Sequence, residues 1–326
     1  MTEWSNLQYR IHHLRLALQG IHLPVWFSTW SWGTRLSVGA LVLGLYYLGG
    51  AIWVNRVDTN PVFLGPPGPV APHYSRAIYA ASQLTLREVD QHHWTPADPV
   101  FLPGSILTTM PRFQQGLVTA VGRFAETLTI LDGGSDGSLS LAAGLYKYPG
   151  TVWRVASGVS WLPTAPSSRQ YRRAAHAMED YDDSLVKSDQ NSVLQQPASV
   201  AAVMESFGGD LDTLADRLAR HLDGNPSALF DGEGRALFQS ARGHLYAWGI
   251  ILTELGKDDS DLIAERGMSS QWRHMNEIVL KASAMDPALV TSGDGMLANH
   301  LAEQGFALLR ARALASEIKA GFNTPS

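Results

Sequence analysis

Three His-x-x-Glu pairs are the residues of this chain best placed for chemistry: His176 with Glu179, His274 with Glu277, and His300 with Glu303. Each falls in a stretch of helical periodicity, where three-residue spacing sets both side chains on one face. The 11 histidines and 11 glutamates of the chain would give fewer such pairs by chance. An imidazole beside a carboxylate can act as an acid–base couple, or supply two ligands to a metal held between facing helices. Bundle metal sites, however, use the order Glu-x-x-His together with further inward glutamates. Here the order is reversed and the extra glutamates are missing. The pairs therefore read first as solvated helix-surface contacts worth about 0.2–0.5 kcal/mol each. A metal or acid–base site is the alternative.

Little else in the sequence is shaped for catalysis. There is no cysteine, which excludes disulfides, thiolate metal sites, iron–sulfur clusters and cysteine nucleophiles. There is no Gly-x-Ser-x-Gly elbow, no His-Glu-x-x-His and no phosphate-binding glycine loop. His92-His93-Trp94 is placed to end a helix, and Glu179, Asp180, Asp182 and Asp183 read as a solvated acidic face. The glycine- and acid-rich loops at 132–137 and 231–234 lack the ligand order of a calcium loop and read as turns. The sequence thus leans away from an enzyme and calls for no cofactor. A net charge of −5 offers no basic field for nucleic acid.

The elements that would position these residues begin with residues 36–54, an uncharged run bounded by Arg35 and Arg56. As a helix it would be roughly 29 Å long, close to the hydrocarbon thickness of a bilayer. It is longer than the apolar core of a cleaved signal peptide, so a retained signal anchor is expected. Ala40 and Gly44 lie one turn apart and would let two such helices approach closely, which allows a homodimer.

Residues 1–35 read as a cytoplasmic tail. Leu7, Ile11, Leu14, Leu18 and Ile21 form an amphipathic helical stripe, and Trp26, Phe27, Trp30 and Trp32 an aromatic belt at headgroup depth, with Trp53 at the far end of the run. Arg10, Arg15 and Arg35 against Glu3 favour keeping this tail inside, because long domains cross largely regardless of their own charge. Residues 55–74 hold five prolines between Pro61 and Pro72 and read as an extended spacer holding the body off the membrane.

From residue 75 to 326 the pattern is helical. Phe113, Leu117, Val121, Phe124, Leu128 and Leu131 make one stripe, and Tyr171, Ala174, Met178, Tyr181 and Leu185 another, with Ser167 or Ser168 as its cap. Gly208-Gly209 is expected to split a helix that restarts at Asp210. Leu237, Ala241, Leu245, Trp248, Leu252 and Leu255 form the cleanest stripe, ended by Gly256. Trp272, Met275, Val279 and Ala282 follow Ser269 and Ser270, and Asn299 caps a last helix through Leu301, Leu308, Ala311, Ala315 and Ile318. No alternating runs suggest a sheet. The fold class is all-α: one transmembrane helix followed by a soluble helical bundle.

Three stretches carry a resemblance. They are Val54-Asn55-Arg56-Val57-Asp58 running into Pro61; Trp161-Leu162-Pro163 followed by Ser167-Ser168 and Tyr171-Arg172; and Asn299-His300-Leu301-Ala302 followed by Leu309-Arg310-Ala311-Arg312. In this order they resemble a bacterial domain-of-unknown-function family of single-pass inner-membrane proteins with a large helical periplasmic body. The resemblance implies an inner-membrane protein with the N-terminus cytoplasmic and the C-terminal domain periplasmic. It carries over no activity and no functional residues. The expected partners are the lipid bilayer and other envelope proteins, and the expected role is protein binding or scaffolding. A membrane-tethered enzyme or metal-binding protein using the His-x-x-Glu pairs is the alternative.

Overall fold

A computed structural model describes residues 31–62, 73–153, 164–189, 192–224, 231–287, 289–291 and 299–323. Among them lie ten α-helices and no β-strand, as the periodicity requires. The stripe over residues 7–21, Trp26, Phe27, Trp30, most of the proline-rich stretch and Trp161-Leu162-Pro163 lie outside the described residues. The chain divides into two units, residues 1–50 and 51–326.

In the first unit the described residues other than Ser31 belong to α1 (Trp32–Val54), which starts four residues before the uncharged run. Its 23 residues correspond to roughly 35 Å of helix. None of them is buried; Leu36, Leu41, Leu45 and Leu48 are each more than half exposed. Among the described residues, α1 is the one helix long and apolar enough to cross a bilayer.

The second unit begins with the last turn of α1. It contains α2 (Arg76–Leu86), α3 (Thr109–Leu131), α4 (Gly137–Tyr146), α5 (Ser167–Ser188), α6 (Pro197–Gly224), α7 (Gly232–Asp258), α8 (Ser260–Glu265), α9 (Ser269–Ser283) and α10 (His300–Asn323). Helix α7 runs through the middle and packs against α2, α3 and α9, while α6 lies along α10 and α4 bridges α3 and α5. Fully buried Trp248 of α7 takes the ring of Phe124 from α3 edge-on and that of Phe207 from α6 at a tilt. Helices α3 and α7 meet backbone to backbone. A Cβ on Gly243 would lie 1.9 Å from the Phe113 carbonyl oxygen, and one on Gly116 2.0 Å from that of Ser240.

The stripes predicted for α3, α5 and α7 are buried, apart from Leu131 and Leu237, which are partly exposed. Phe113, Leu117, Val121, Phe124 and Leu128 are inaccessible to water, as are Ala174 and Met178 of α5 and Trp248, Leu252 and Leu255 of α7. Asn299 accepts the Ala302 N–H at 2.8 Å, so it caps α10 as expected.

Four local expectations are corrected. Gly208-Gly209 does not split a helix; α6 runs through it. Two glycines cost about 1 kcal/mol each relative to alanine, and the burial of Met204, Phe207, Leu211 and Leu214 on either side outweighs that. Helix α7 continues two residues past Gly256. Ser167 does not cap α5. Its hydroxyl is turned to the Pro149 and Val152 carbonyls and pins the preceding loop. Finally, Asp182 does not belong to a solvated face: it is buried and accepts the Ser75 N–H at 2.9 Å.

The spacer also behaves differently at its start. Residues 55–62 fold onto the body. Asn55 Oδ1 accepts the Met110 N–H at 3.3 Å, the Asn60 carbonyl accepts from Tyr246, and Val57 packs against the core. The prolines stiffen the chain but do not by themselves keep this part away from the domain it leads into.

Candidate functional site

The three His-x-x-Glu pairs do not form one site. On α5, His176 Nδ1 lies 2.9 Å from Glu179 Oε2 on the exposed face. Glu179 also accepts from Gln83 at 2.6 Å and Ser82 at 3.2 Å, which ties α5 to α2. On α9, His274 turns from Glu277 to Arg310 of α10, 2.8 Å away, and so accepts from the guanidinium. On α10, His300 Nδ1 lies 3.1 Å from Thr291 Oγ1, holding the segment before the helix, while the Glu303 N–H closes the first turn on the Asn299 carbonyl. Among the described residues no three His, Asp or Glu side chains gather into a set able to hold a metal ion.

What the fold does build is a groove of about 740 Å³ between α7 and α9. Its wall comes from the crossing of the two helices. Gly256 lies under the Trp272 indole, where a Cβ would be 2.4 Å from Nε1, and Trp272 donates to the Leu252 carbonyl at 3.2 Å. Gly249 admits the Leu280 side chain, and Asn276 donates to Thr253 Oγ1 at 2.5 Å. Asn276 Oδ1 is buried and accepts no hydrogen bond among the described residues. Such an atom carries a desolvation cost of about 1–3 kcal/mol, which a donor brought by a ligand would remove.

The rim of the groove is charged. Lys257, Arg273 and Lys281 stand on it with Glu277. Lys257 is engaged by Glu254 at 2.5 Å, whereas Arg273 and Lys281 meet no carboxylate among the described residues. An apolar floor with a cationic edge suits a segment that offers apolar residues on one side and acids beside them.

Pro61 closes one end of the groove, and a buried polar network holds it there. Arg87, 2 % exposed, donates to Tyr246 Oη at 2.9 Å and to the Asp58 carbonyl at 3.3 Å, and its guanidinium lies 3.6 Å from the Asp58 carboxylate. Tyr246 in turn donates to the Asn60 carbonyl at 2.9 Å. Fully buried Glu88 accepts from Arg87 Nε at 3.0 Å and from Gln114 at 3.2 Å. Burial pushes the Tyr246 hydroxyl above its usual pKa, with the neighbouring Arg87 charge acting the other way. With a charge-assisted partner at nearly every hydrogen-bonding position, the buried pair avoids the penalty of isolated interior charge. The network forms at a π-helical turn, Arg87–Gln91, which continues α2. Such a turn shifts the helical phase and brings neighbouring side chains onto new faces.

Arg87, Glu88, Gln114 and Tyr246 did not stand out in the sequence. The available signal was phase: Glu88 follows Leu84 by four and Ala81 by seven, so a charge sits on the buried stripe of α2. The groove had no such signal, because Gly256 and Trp272 meet only when α9 folds back on α7. Comparison of the chain with protein-family models, with curated proteins and with solved structures found no match.

Proposed function

We propose that this chain is a non-enzymatic envelope protein, held by α1 in a bacterial inner membrane, whose periplasmic helical body binds or scaffolds other proteins through the α7–α9 groove. The observation that carries this reading is the pairing of an apolar floor with the Arg273 and Lys281 rim. The occupant is an amphipathic helical segment of a partner protein with acidic residues flanking its apolar face. The apolar, unburied α1 supports the anchor, and the short sequence resemblance supports the compartment. Residues 55–62, clamped by Arg87 and Tyr246, bring Pro61 to one end of the groove and so make the chain after α1 part of its lining.

A photocrosslinking residue at Lys281 in the full chain, activated in native membranes, tests the reading. The expected result is one reproducible protein partner, crosslinked through an acidic amphipathic peptide and lost on Arg273→Glu. Recovery of the chain alone, or of peptides without acidic character, overturns it. A reporter at the carboxyl end checks the compartment: activity typical of the cytosol would contradict the periplasmic assignment.

A further inference from the structure

Helix α10 is apolar on the side where a surface helix ordinarily turns charge to water. Leu301, Leu308, Ala311, Ala315 and Ile318 are buried against the core. The opposite side carries Ala302, Phe306, Leu309, Ala313 and Ser316, all exposed, with Phe306 67 % and Leu309 57 % open. These five follow one another at steps of four, three, four and three residues. That is the spacing of a coiled-coil seam, with Phe306 and Ala313 at a and Ala302, Leu309 and Ser316 at d. A seam of this kind calls for a second helix.

The charges beside the seam select that helix. Glu303, Arg310 and Glu317 recur every seven residues along one flank. Among the described residues Glu303 meets no cation and Arg310 no carboxylate; Arg310 donates to the His274 ring instead. The other flank is already engaged within the chain. Arg312 lies 2.9 Å from Asp212 of α6, and Lys319 pairs with Glu205, also of α6.

Two copies of α10 laid antiparallel, with a two-fold axis at the level between Ala307 and Leu308, satisfy both features. Phe306 of each copy then faces Leu309 of the other, Ala302 faces Ala313, and Glu303 stands beside Arg310 twice over by symmetry. Sliding one helix by a heptad keeps an apolar seam but sets Glu303 against Glu317 and Arg310 against its own counterpart, like charge against like. Sliding it by two heptads restores opposite charges, but sets Phe306 against Asn323 in place of Leu309. A parallel pair aligns identical residues and leaves Glu303 and Arg310 about 10 Å apart along the axis.

We infer that the outward face of α10 is a self-association surface, occupied by α10 of a second copy paired antiparallel with Phe306 against Leu309. The inference lies wholly within the second unit and is independent of the α7–α9 groove. The apolar face from Ala302 to Ser316 is roughly 21 Å long. A contact of that size makes a weak, concentration-dependent dimer.

The chain has no cysteine, so disulfide trapping reports the register directly. Two differently tagged full-length chains, one Ala302→Cys and the other Ala313→Cys, are co-expressed, purified together in mild detergent and oxidised. The expected product is a disulfide between unlike copies, several-fold more abundant than either like pair. In the inferred register like positions lie roughly 16 Å apart along the axis, and association through α1 alone would not favour unlike over like pairs. Glu303→Arg on both copies is expected to lower the unlike product several-fold, and adding Arg310→Glu to restore it. The inference fails if like pairs equal or exceed the unlike pair, or if the yield only matches that of Ile130→Cys, an exposed reference on α3. It fails equally if the charge swap brings no recovery.

Discussion

The Tyr246 hydroxyl donates to the Asn60 carbonyl at 2.9 Å across 186 residues of chain. It receives the Arg87 guanidinium at the same distance, so one phenol couples the segment after α1 to the centre of α7. Tyr246→Phe keeps the ring against Phe113 but leaves a buried guanidinium N–H and a carbonyl without their partner. The expected cost is about 1–3 kcal/mol. Arg87→Met is expected to cost more, because it strands Glu88 as an uncompensated buried charge. Thermal melts of the full chain in detergent check both, and limited proteolysis of residues 55–62 is expected to quicken in each.

Two glycines give opposite expectations for the same change. At Gly243 an added methyl meets the Phe113 carbonyl oxygen and the Leu117 nitrogen, both backbone, so α3 and α7 must separate. Gly243→Ala is expected to destabilise by about 1–3 kcal/mol or more. Around Gly209 nothing lies within 4 Å, and the residue sits exposed within α6. There Gly209→Ala is expected to stabilise by up to about 1 kcal/mol through helix propensity. Chemical denaturation midpoints of the two variants, read side by side, test the packing of this helix pair.

Gly209 also illustrates what could be read ahead. Helix stripes were legible wherever apolar residues recur at three and four, because burial on α3, α5 and α7 depends on that phase alone. The glycine pair misled because local propensity is weak beside a buried face on both sides. Asp182 was legible in principle: it falls four after Met178 and three before Leu185, on the apolar stripe, although its acidic neighbours suggested a solvated run. The Arg87–Glu88 pair has the same signature. The groove and the fold-back of residues 55–62 depend on contacts far apart in sequence, such as Trp272 on Gly256 and Asn55 on Met110, which no local pattern encodes.

His300 distinguishes a structural histidine from a ligand. Its ring faces Thr291, and its N–H donates to the Thr291 carbonyl at 3.1 Å through backbone geometry that a variant retains. His300→Ala is therefore expected to lower stability by about 1 kcal/mol through the loss of the ring's contacts with the Thr291 hydroxyl and N–H. Elemental analysis of the wild-type chain purified without chelator is expected to find no stoichiometric metal. A tightly held metal that disappears in His300→Ala would assign the ring to coordination instead.

The start of α2 sets the pH dependence. Ser75 donates its N–H to Asp182 and its hydroxyl to Asp258 at 3.1 Å, and Ala77 donates to the same Asp258 oxygen at 3.2 Å. The helix N-terminus favours these charges, and Arg76 stands 3.9 Å from Asp258. Burial opposes them and prevails. It pushes Asp182 up to about 7, Asp258 to about 6 and the adjacent Asp259 to about 7, from an ordinary 3.8. Among the described residues Asp182 Oδ2 and Asp259 Oδ2 have no hydrogen-bond partner, so nothing at those oxygens offsets the cost of burying the ionised form. Between pH 3.8 and about 7 the native chain thus binds more protons than the unfolded one, and stability must fall as pH rises through that window. Burial also pushes Asp210 and Asp231 upward. Hydrogen bonds outweigh it, from His244 and Trp248 to Asp210 and from Gly234 and His221 to Asp231, and hold both below 3.8. Their contribution is lost on further acidification, so the slope reverses there. The melting temperature of the body is expected to peak near pH 4–5 and decline toward pH 8. Asp182→Asn, which keeps an acceptor for Ser75 and carries no charge, is expected to raise the melting temperature at pH 8, change it little at pH 5, and flatten the decline between them. A variant profile parallel to the wild type would show that Asp182 is ionised in the native body throughout.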